Sequence, residues 1–276
     1  MKNFKKIAKE NKTLTIGAIL VLFLFSLMIL SFIYLPHPPN TPSSANQLKP
    51  PSATFWLGTD HLGRDVFSRI LLASRTAFLV GSASVVAGLL LGVPLGLAGG
   101  YFGGWFDALV LRLLDAMKAI PSLLLALMLI SVFGTGMSVT ILAIAVLAIP
   151  LYARMARNSA IQLKNLDYIQ WTKMIGIPSS RILFVHLLPN LRSSLLVTAS
   201  LGFANAVLTE AGLSYLGLGV QPPDPSWGKM LSEAQNNLFN APWLAFASGL
   251  AITLLVLGFN LLGDGLRDLS DLHRKE

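Results

Sequence analysis

Long uncharged stretches alternate with short polar ones along this chain of 276 residues. Leu14–Leu35 is an apolar run of 22 residues, enough to cross a hydrocarbon layer of about 30 Å as a helix. Thr76–Gly100 contains 25 uncharged residues and Ala119–Ala153 contains 35. The second of these is too long for one crossing, and Gly134-Thr135-Gly136 predicts a tight turn that divides it. The third span therefore starts amphipathically, with Asp107, Arg112, Asp115 and Lys118, and the fourth ends near Ala153. Ser193–Gly219 and Pro242–Gly263 read as the fifth and sixth spans. Between the first two lie a Pro/Ser/Asn-rich linker, Pro36–Ser52, and a short amphipathic segment, Asp65–Arg75. Val220–Ala241 reads as a loop, 99–104 as a glycine-rich turn, and Pro94 as a kink within the second span.

Composition agrees with this pattern. Hydrophobic residues make up 54% of the chain and charged residues 12%, with mean hydropathy +0.65. A soluble domain carries about 25% charge, so a soluble enzyme, a disordered chain and a secreted disulfide scaffold are all excluded. With no cysteine there is no disulfide, thiolate metal site or cysteine nucleophile. Five lysines (Lys2, Lys5, Lys6, Lys9, Lys12) precede the first apolar run. That run exceeds the apolar core of a signal peptide and has no small-residue cleavage site after it, so it is read as a retained span. Of the 21 Lys and Arg, only Lys49, Arg64, Arg69, Arg75 and Lys229 fall on the segments facing away from the N-terminus. The positive-inside rule thus puts both termini in the cytoplasm. This asymmetry accounts for the net charge of +8 without any nucleic acid partner.

Candidate chemistry is sparse. There is no phosphate-cradling loop and no paired-histidine motif, and His37, His61, His186 and His273 are scattered over both sides of the membrane. Gly88, Gly92 and Gly96 recur at every fourth position, which bares one helix face for close packing. Segment 154–192 is the long polar interlude of the second half. Its stretch from Ile161 to Ile175 is amphipathic, Gly176 closes it, and a second short helix, Ser179–Leu188, is expected to end before Pro189. Such a pair either lies in the headgroup region or docks in a groove of a soluble partner. Glu210 is the one acid inside the fifth span. It either hydrogen-bonds Ser or Thr of a neighbouring helix or lines a path or outer gate.

Tyr168-Ile169-Gln170-Trp171-Thr172-Lys173-Met174-Ile175-Gly176, followed by His186-Leu187-Leu188-Pro189-Asn190, resembles the EAA loop of ABC importer permeases. Gln170-Trp171-Thr172 stands where that family reads E-A-A, while the glycine and the Leu-Pro pair are in place. Leu57-Gly58-Thr59-Asp60-His61-Leu62-Gly63-Arg64-Asp65-Val66-Phe67-Ser68-Arg69 resembles the segment after the first span in the C-type subunit of dipeptide, oligopeptide and nickel permeases. So do Glu210–Gly219 with Ser226-Trp227-Gly228, and Asn260–Asp268. The resemblance implies an all-α membrane protein of six transmembrane helices, with the type I ABC importer permease fold, in a bacterial inner or plasma membrane. It implies an N-terminal segment and first helix over 1–35, an external linker over 36–75, a five-helix core over 76–268 and a cytoplasmic tail over 269–276. Implied partners are a homologous second permease, two cytoplasmic ATPases and an external solute-binding protein. ATP and Mg would be used by the ATPases, with no cofactor bound by this chain. Tyr168, Gln170, Trp171, Thr172, Gly176, Leu188 and Pro189 would couple to an ATPase. The implied cargo is a small peptide, with nickel or a metal chelate as the alternative. An intramembrane enzyme would need two polar catalytic groups at one depth, and a mere membrane anchor would not need glycine-lined spans.

Overall fold

In the computed structural model, residues 11–272 are described in backbone and 11–269 in side chains. Lys2, Lys5, Lys6, Lys9, His273, Arg274 and Lys275, which bear on the charge asymmetry, lie outside the described residues. The helices are α1 (Lys12–Ile33), α2 (Val66–Phe102), α3 (Gly104–Ala119), α4 (Ser122–Phe133) and α5 (Met137–Leu163). After them come α6 (Asp167–Met174), α7 over 179–190, α8 (Arg192–Tyr215), α9 (Trp227–Gln235) and α10 (Pro242–Leu272). No strand occurs among the described residues. Five helices are long and apolar enough to cross a membrane: α1, α2, α5, α8 and α10. Counted as one span, the bent pair α3–α4 makes a sixth.

Several boundaries differ from the sequence-based expectations. Asp65 caps α2, its carboxylate accepting from the Ser68 backbone N–H at 2.9 Å. Nothing interrupts the helix after this cap, so the amphipathic stretch 66–75 forms the first turns of the second span rather than part of the linker. The helix runs on through Pro94 to Phe102, and the turn is confined to Gly103 and Gly104, both with positive φ. The third span is broken by 91° at Ile120–Pro121. Proline there has no N–H to donate and pushes Ile120 into an extended conformation. At about 1.5 Å per residue, α4 reaches only about 18 Å and cannot cross alone. Helix α5 carries the 154–163 stretch as its own end, so the amphipathic helix proper is α6. The segment Val220–Ala241 contains α9, capped by Ser226, whose Oγ accepts from Lys229 N–H at 3.1 Å. The last helix continues nine residues past Gly263, to Leu272.

Helix α7 also passes the proline expected to end it. Its centre, Ile182–Leu187, is a π-turn, and the Leu188 N–H bonds back to the Leu183 carbonyl. Pro189 then sits at the start of a fresh α-turn, where no N–H is required.

The bundle has two distinct ends. Linker 34–65 and α9 cover one, hereafter the linker end, and α6–α7 cover the other, the hairpin end. Helices α2 and α5 run side by side in the same direction, joined by the returning α3–α4 pair, and α1 packs antiparallel on α10.

Candidate functional site

At the hairpin end, local rules hold α6 away from the bundle. Gln170 Nε2 donates to the Lys164 carbonyl at 2.7 Å, folding the chain back after α5. Gly176, at φ +79°, terminates α6. The Ile177 N–H bonds the Thr172 carbonyl and the Gly176 N–H bonds the Lys173 carbonyl, a Schellman closure that needs the left-handed residue at position 176. Only Ile169 faces inward; it is fully buried, in one apolar cluster with Ile182 and Leu187. Lys173 Nζ lies 4.8 Å above the Tyr101 ring, fastening α6 to the end of α2. Thr172 is half-buried, its hydroxyl donating to the Ile169 carbonyl at 2.7 Å. Tyr168 is exposed and its hydroxyl accepts from Asn190 Nδ2 at 3.2 Å. Trp171, Met174 and Ile175 are 66%, 78% and 71% exposed. Leu188 is half-buried and Pro189 exposed. The predicted coupling residues thus form one protruding ledge, apolar on its outer side, which water alone would not favour.

That ledge is continuous with the tightest helix contact in the molecule. An added Cβ at Gly88 would lie 3.1 Å from Ala148 Cβ, at Gly92 2.9 Å from the Ile149 carbonyl oxygen, and at Gly96 2.0 Å from the Ala153 carbonyl oxygen. Gly100 continues the row, 2.5 Å from the Arg157 carbonyl. Beyond it, Lys164 Nζ donates to the Gly100 carbonyl at 2.7 Å, and Arg157 forms a two-pronged ion pair with Asp107 of α3. A second glycine interface went unread in the sequence: Gly17 and Gly265 let α1 and α10 touch backbone to backbone. Its members are 248 residues apart, so no local repeat betrays it.

The linker-end motifs form a knot. Asp60 accepts from the Leu62 and Arg64 backbone N–H groups at 2.9 Å each and from Arg64 Nε at 2.7 Å. Arg64 also reaches Glu233 of α9 at 3.1 Å. The Arg69 guanidinium, buried in α2, lies 3.6 Å from Asp60 and 3.8 Å from Glu233. His61 completes a cluster with these two carboxylates. Two guanidiniums already neutralise them, so the cluster is an ion-pair network and a poor cation site. Glu210 belongs to a neighbouring knot. Glu210 as a whole is 2% exposed, and its carboxylate accepts from Ser214 Oγ at 2.6 Å, with Ser226 close by. Its surroundings are therefore its own helix and the cap of α9. An added Cβ at Gly228 would strike the Ala211 carbonyl at 2.1 Å, which explains the glycine beside Trp227. Glu210 does not line any described cavity.

A cavity of about 280 Å³ does open between α4, α5 and α8. Ile144, Leu147 and Leu151 form its apolar wall, and Ser122, Asn205 and Thr209 supply its polar groups. None of these three was singled out from the sequence. Neutral polar residues inside an apolar span give no charge signal.

Residues 92–275 match the family described as "Binding-protein-dependent transport system inner membrane component". The chain belongs to this family. The dipeptide transport system permease protein DppC of Alkalihalophilus pseudofirmus is 40% identical to this permease over 97% of the chain and 88% of its own length. The glutathione transport system permease protein GsiD of Pectobacterium atrosepticum is 42% identical over 80% of the chain and 73% of its own. Among solved structures, a chain of the MetNI methionine ABC transporter in an inward-facing form superposes with TM-score 0.59 at 19% identity, covering 71% of this chain and 93% of that one. That likeness establishes the type I importer fold for the permease. It is thus a multi-pass membrane subunit of a bacterial transporter, in a family that works with ATPases, a second permease and a binding protein.

Proposed function

We propose that this permease forms half of the channel of an ATP-driven importer of small peptides. The α6 ledge is its docking site for a cytoplasmic ATPase. A homologous permease completes the channel, a second ATPase docks on that permease, and an external binding protein delivers the peptide to the linker end. The hairpin end fits this orientation: basic Arg154, Arg157, Lys164, Lys173, Arg181 and Arg192 gather there. ATP and Mg are consumed by the ATPases, and this chain binds no cofactor. The named relatives carry dipeptides and glutathione, which favours a peptide over nickel or a chelate.

The observation that carries the docking assignment is the exposed apolar ledge of Tyr168, Trp171, Met174 and Ile175, held off the bundle by a single left-handed residue. ATP-driven closure of the ATPases pulls on α6, and the pull reaches α2 and α5 through Lys173–Tyr101 and the glycine row. Gly176→Leu tests this. A Cβ at Gly176 meets nothing within 4 Å, so the substitution strains only the backbone, by about 1–2 kcal/mol. The variant is expected to insert normally but lose the ATPase from the purified complex, or lose stimulation of ATP hydrolysis by loaded binding protein. Gly176→Asn, which tolerates positive φ, should retain both. Normal uptake by Gly176→Leu refutes the docking assignment. Reporter fusions near Gly176 should report from the cytoplasm and fusions within Pro38–Ser52 from outside; the reverse pattern refutes the orientation.

A further inference from the structure

Asn205 lies midway along α8, about 20 Å from its start. It is exposed, and its carboxamide makes no hydrogen bond to any described residue. A primary amide has two donor hydrogens and an acceptor oxygen, and leaving them unpaired against lipid is costly. Other polar residues along the middle of this helix avoid that cost. Thr198 and Thr209 donate their hydroxyls to the carbonyls of Ser194 and Asn205, each at 2.7 Å. Asn205 therefore faces water or another molecule. It opens onto the 280 Å³ cavity beside Thr209 and Ser122, whose lining includes no charged side chain.

We propose that Asn205 lines the substrate's route through this subunit and that its carboxamide binds the peptide group of the passing molecule; this deepens the peptide-import reading and rests on it. The chemistry matches at both ends. A carboxamide offers N–H donors and a C=O acceptor, so it can donate to the C=O or accept from the N–H of a peptide group, and every peptide carries those groups whatever its side chains. A single neutral contact also lets go readily, as passage requires. An uncharged wall holds neither terminus of a zwitterionic peptide.

The chain's lack of cysteine makes the test direct. Asn205→Cys is introduced into the complete transporter in membrane vesicles, with Leu90→Cys as control, an exposed α2 residue away from the cavity. Labelling of this subunit by an anionic, membrane-impermeant thiosulfonate is followed at rest, with ATP and after vanadate trapping, alongside uptake of a radiolabelled dipeptide. The expected result is that position 205 reacts, with a rate that changes between states, while position 90 does not. Asn205→Cys, having lost the carboxamide, should already take up dipeptide more slowly than Asn205→Gln, which keeps it. Modification at 205 should cut the remaining uptake at least tenfold, and thiol reductant should restore the unmodified variant's rate. No reaction in any state, a cross-link to the second permease, or modification that leaves uptake intact overturns the proposal. If Asn205→Cys does not accumulate, Thr209→Cys, one turn away on the same wall, is judged by the same criteria. Reaction at 205 in a complex whose wild-type form hydrolyses ATP with its binding protein yet takes up no dipeptide overturns the peptide assignment while the route stands.

Discussion

Replacing Gly96 with alanine gives a sharp test of the α2–α5 contact. The new methyl carbon would sit 2.0 Å from the Ala153 carbonyl oxygen and 2.8 Å from its carbon. A carbon–oxygen contact relaxes at about 3.3 Å, so α5 must retreat by about 1.3 Å. The obstacle is backbone, which cannot rotate aside as a side chain would. Such a retreat also loosens Tyr152 against Gly88 and Gly92 and Ala160 against Gly100. Overpacking of this kind costs up to about 3 kcal/mol. Alanine returns about 1 kcal/mol through its better helix propensity. The net loss is therefore about 2 kcal/mol, or about thirtyfold in the folded-to-unfolded ratio. Gly249 of α10 is the matched control, because a Cβ there meets nothing within 4 Å. Gly249→Ala should gain up to about 1 kcal/mol. Graded SDS titration of the two purified variants, followed by tryptophan fluorescence, measures both. Equal stability of Gly96→Ala and Gly249→Ala would refute the backbone-contact argument.

Three further outcomes follow from the linker end. Asp60→Ala leaves the buried Arg69 and the half-covered Arg64 facing each other with only Glu233 between them, and should destabilise the subunit by about 3–5 kcal/mol, read as loss of membrane-accumulated protein; accumulation at the wild-type level would contradict the network's role. Glu210→Gln keeps an oxygen for the Ser214 hydroxyl, so accumulation and uptake should stay near wild type. Glu210→Leu, which strands that hydroxyl, should lower thermal stability by about 1–3 kcal/mol. Assembly with lost uptake in Glu210→Gln would show instead that the charge itself serves transport.

The spans were legible in the sequence because lipid demands unbroken apolar runs, and those runs mark themselves. Ala119–Ala153 marks the limit of that reading. Its glycine turn at 134–136 was visible, but the sharper break at Ile120–Pro121 was not, since a lone proline can equally sit inside a helix, as Pro94 does in α2. Helix α9 was hidden by prolines at 222, 223 and 225 just before it, although Ser226 offers an ordinary cap. The hairpin could be read because Gly176 and Pro178 act locally. The Asp60 network could be named only by resemblance: its partner Glu233 is 173 residues away, and nothing local predicts which acid meets which arginine. Asn205 escaped for the opposite reason, being neutral and alone.

The ion-pair network also decides where motion is largest. Arg69 is bolted near the start of α2, to the linker through Asp60 and to α9 through Glu233. A 37-residue helix is about 55 Å long. Clamped there, and packed on α5 over Gly88–Gly100, it would tilt about that end with α5 as one unit. A swing of about 5° carries the far tip about 5 Å while the clamped end scarcely shifts, a throw comparable to one full helical turn. The far tip is where Tyr101 meets Lys173 of the α6 ledge. Small strokes delivered by a soluble motor would therefore act on the end of the longest lever the chain possesses, with the fulcrum on the opposite side of the membrane.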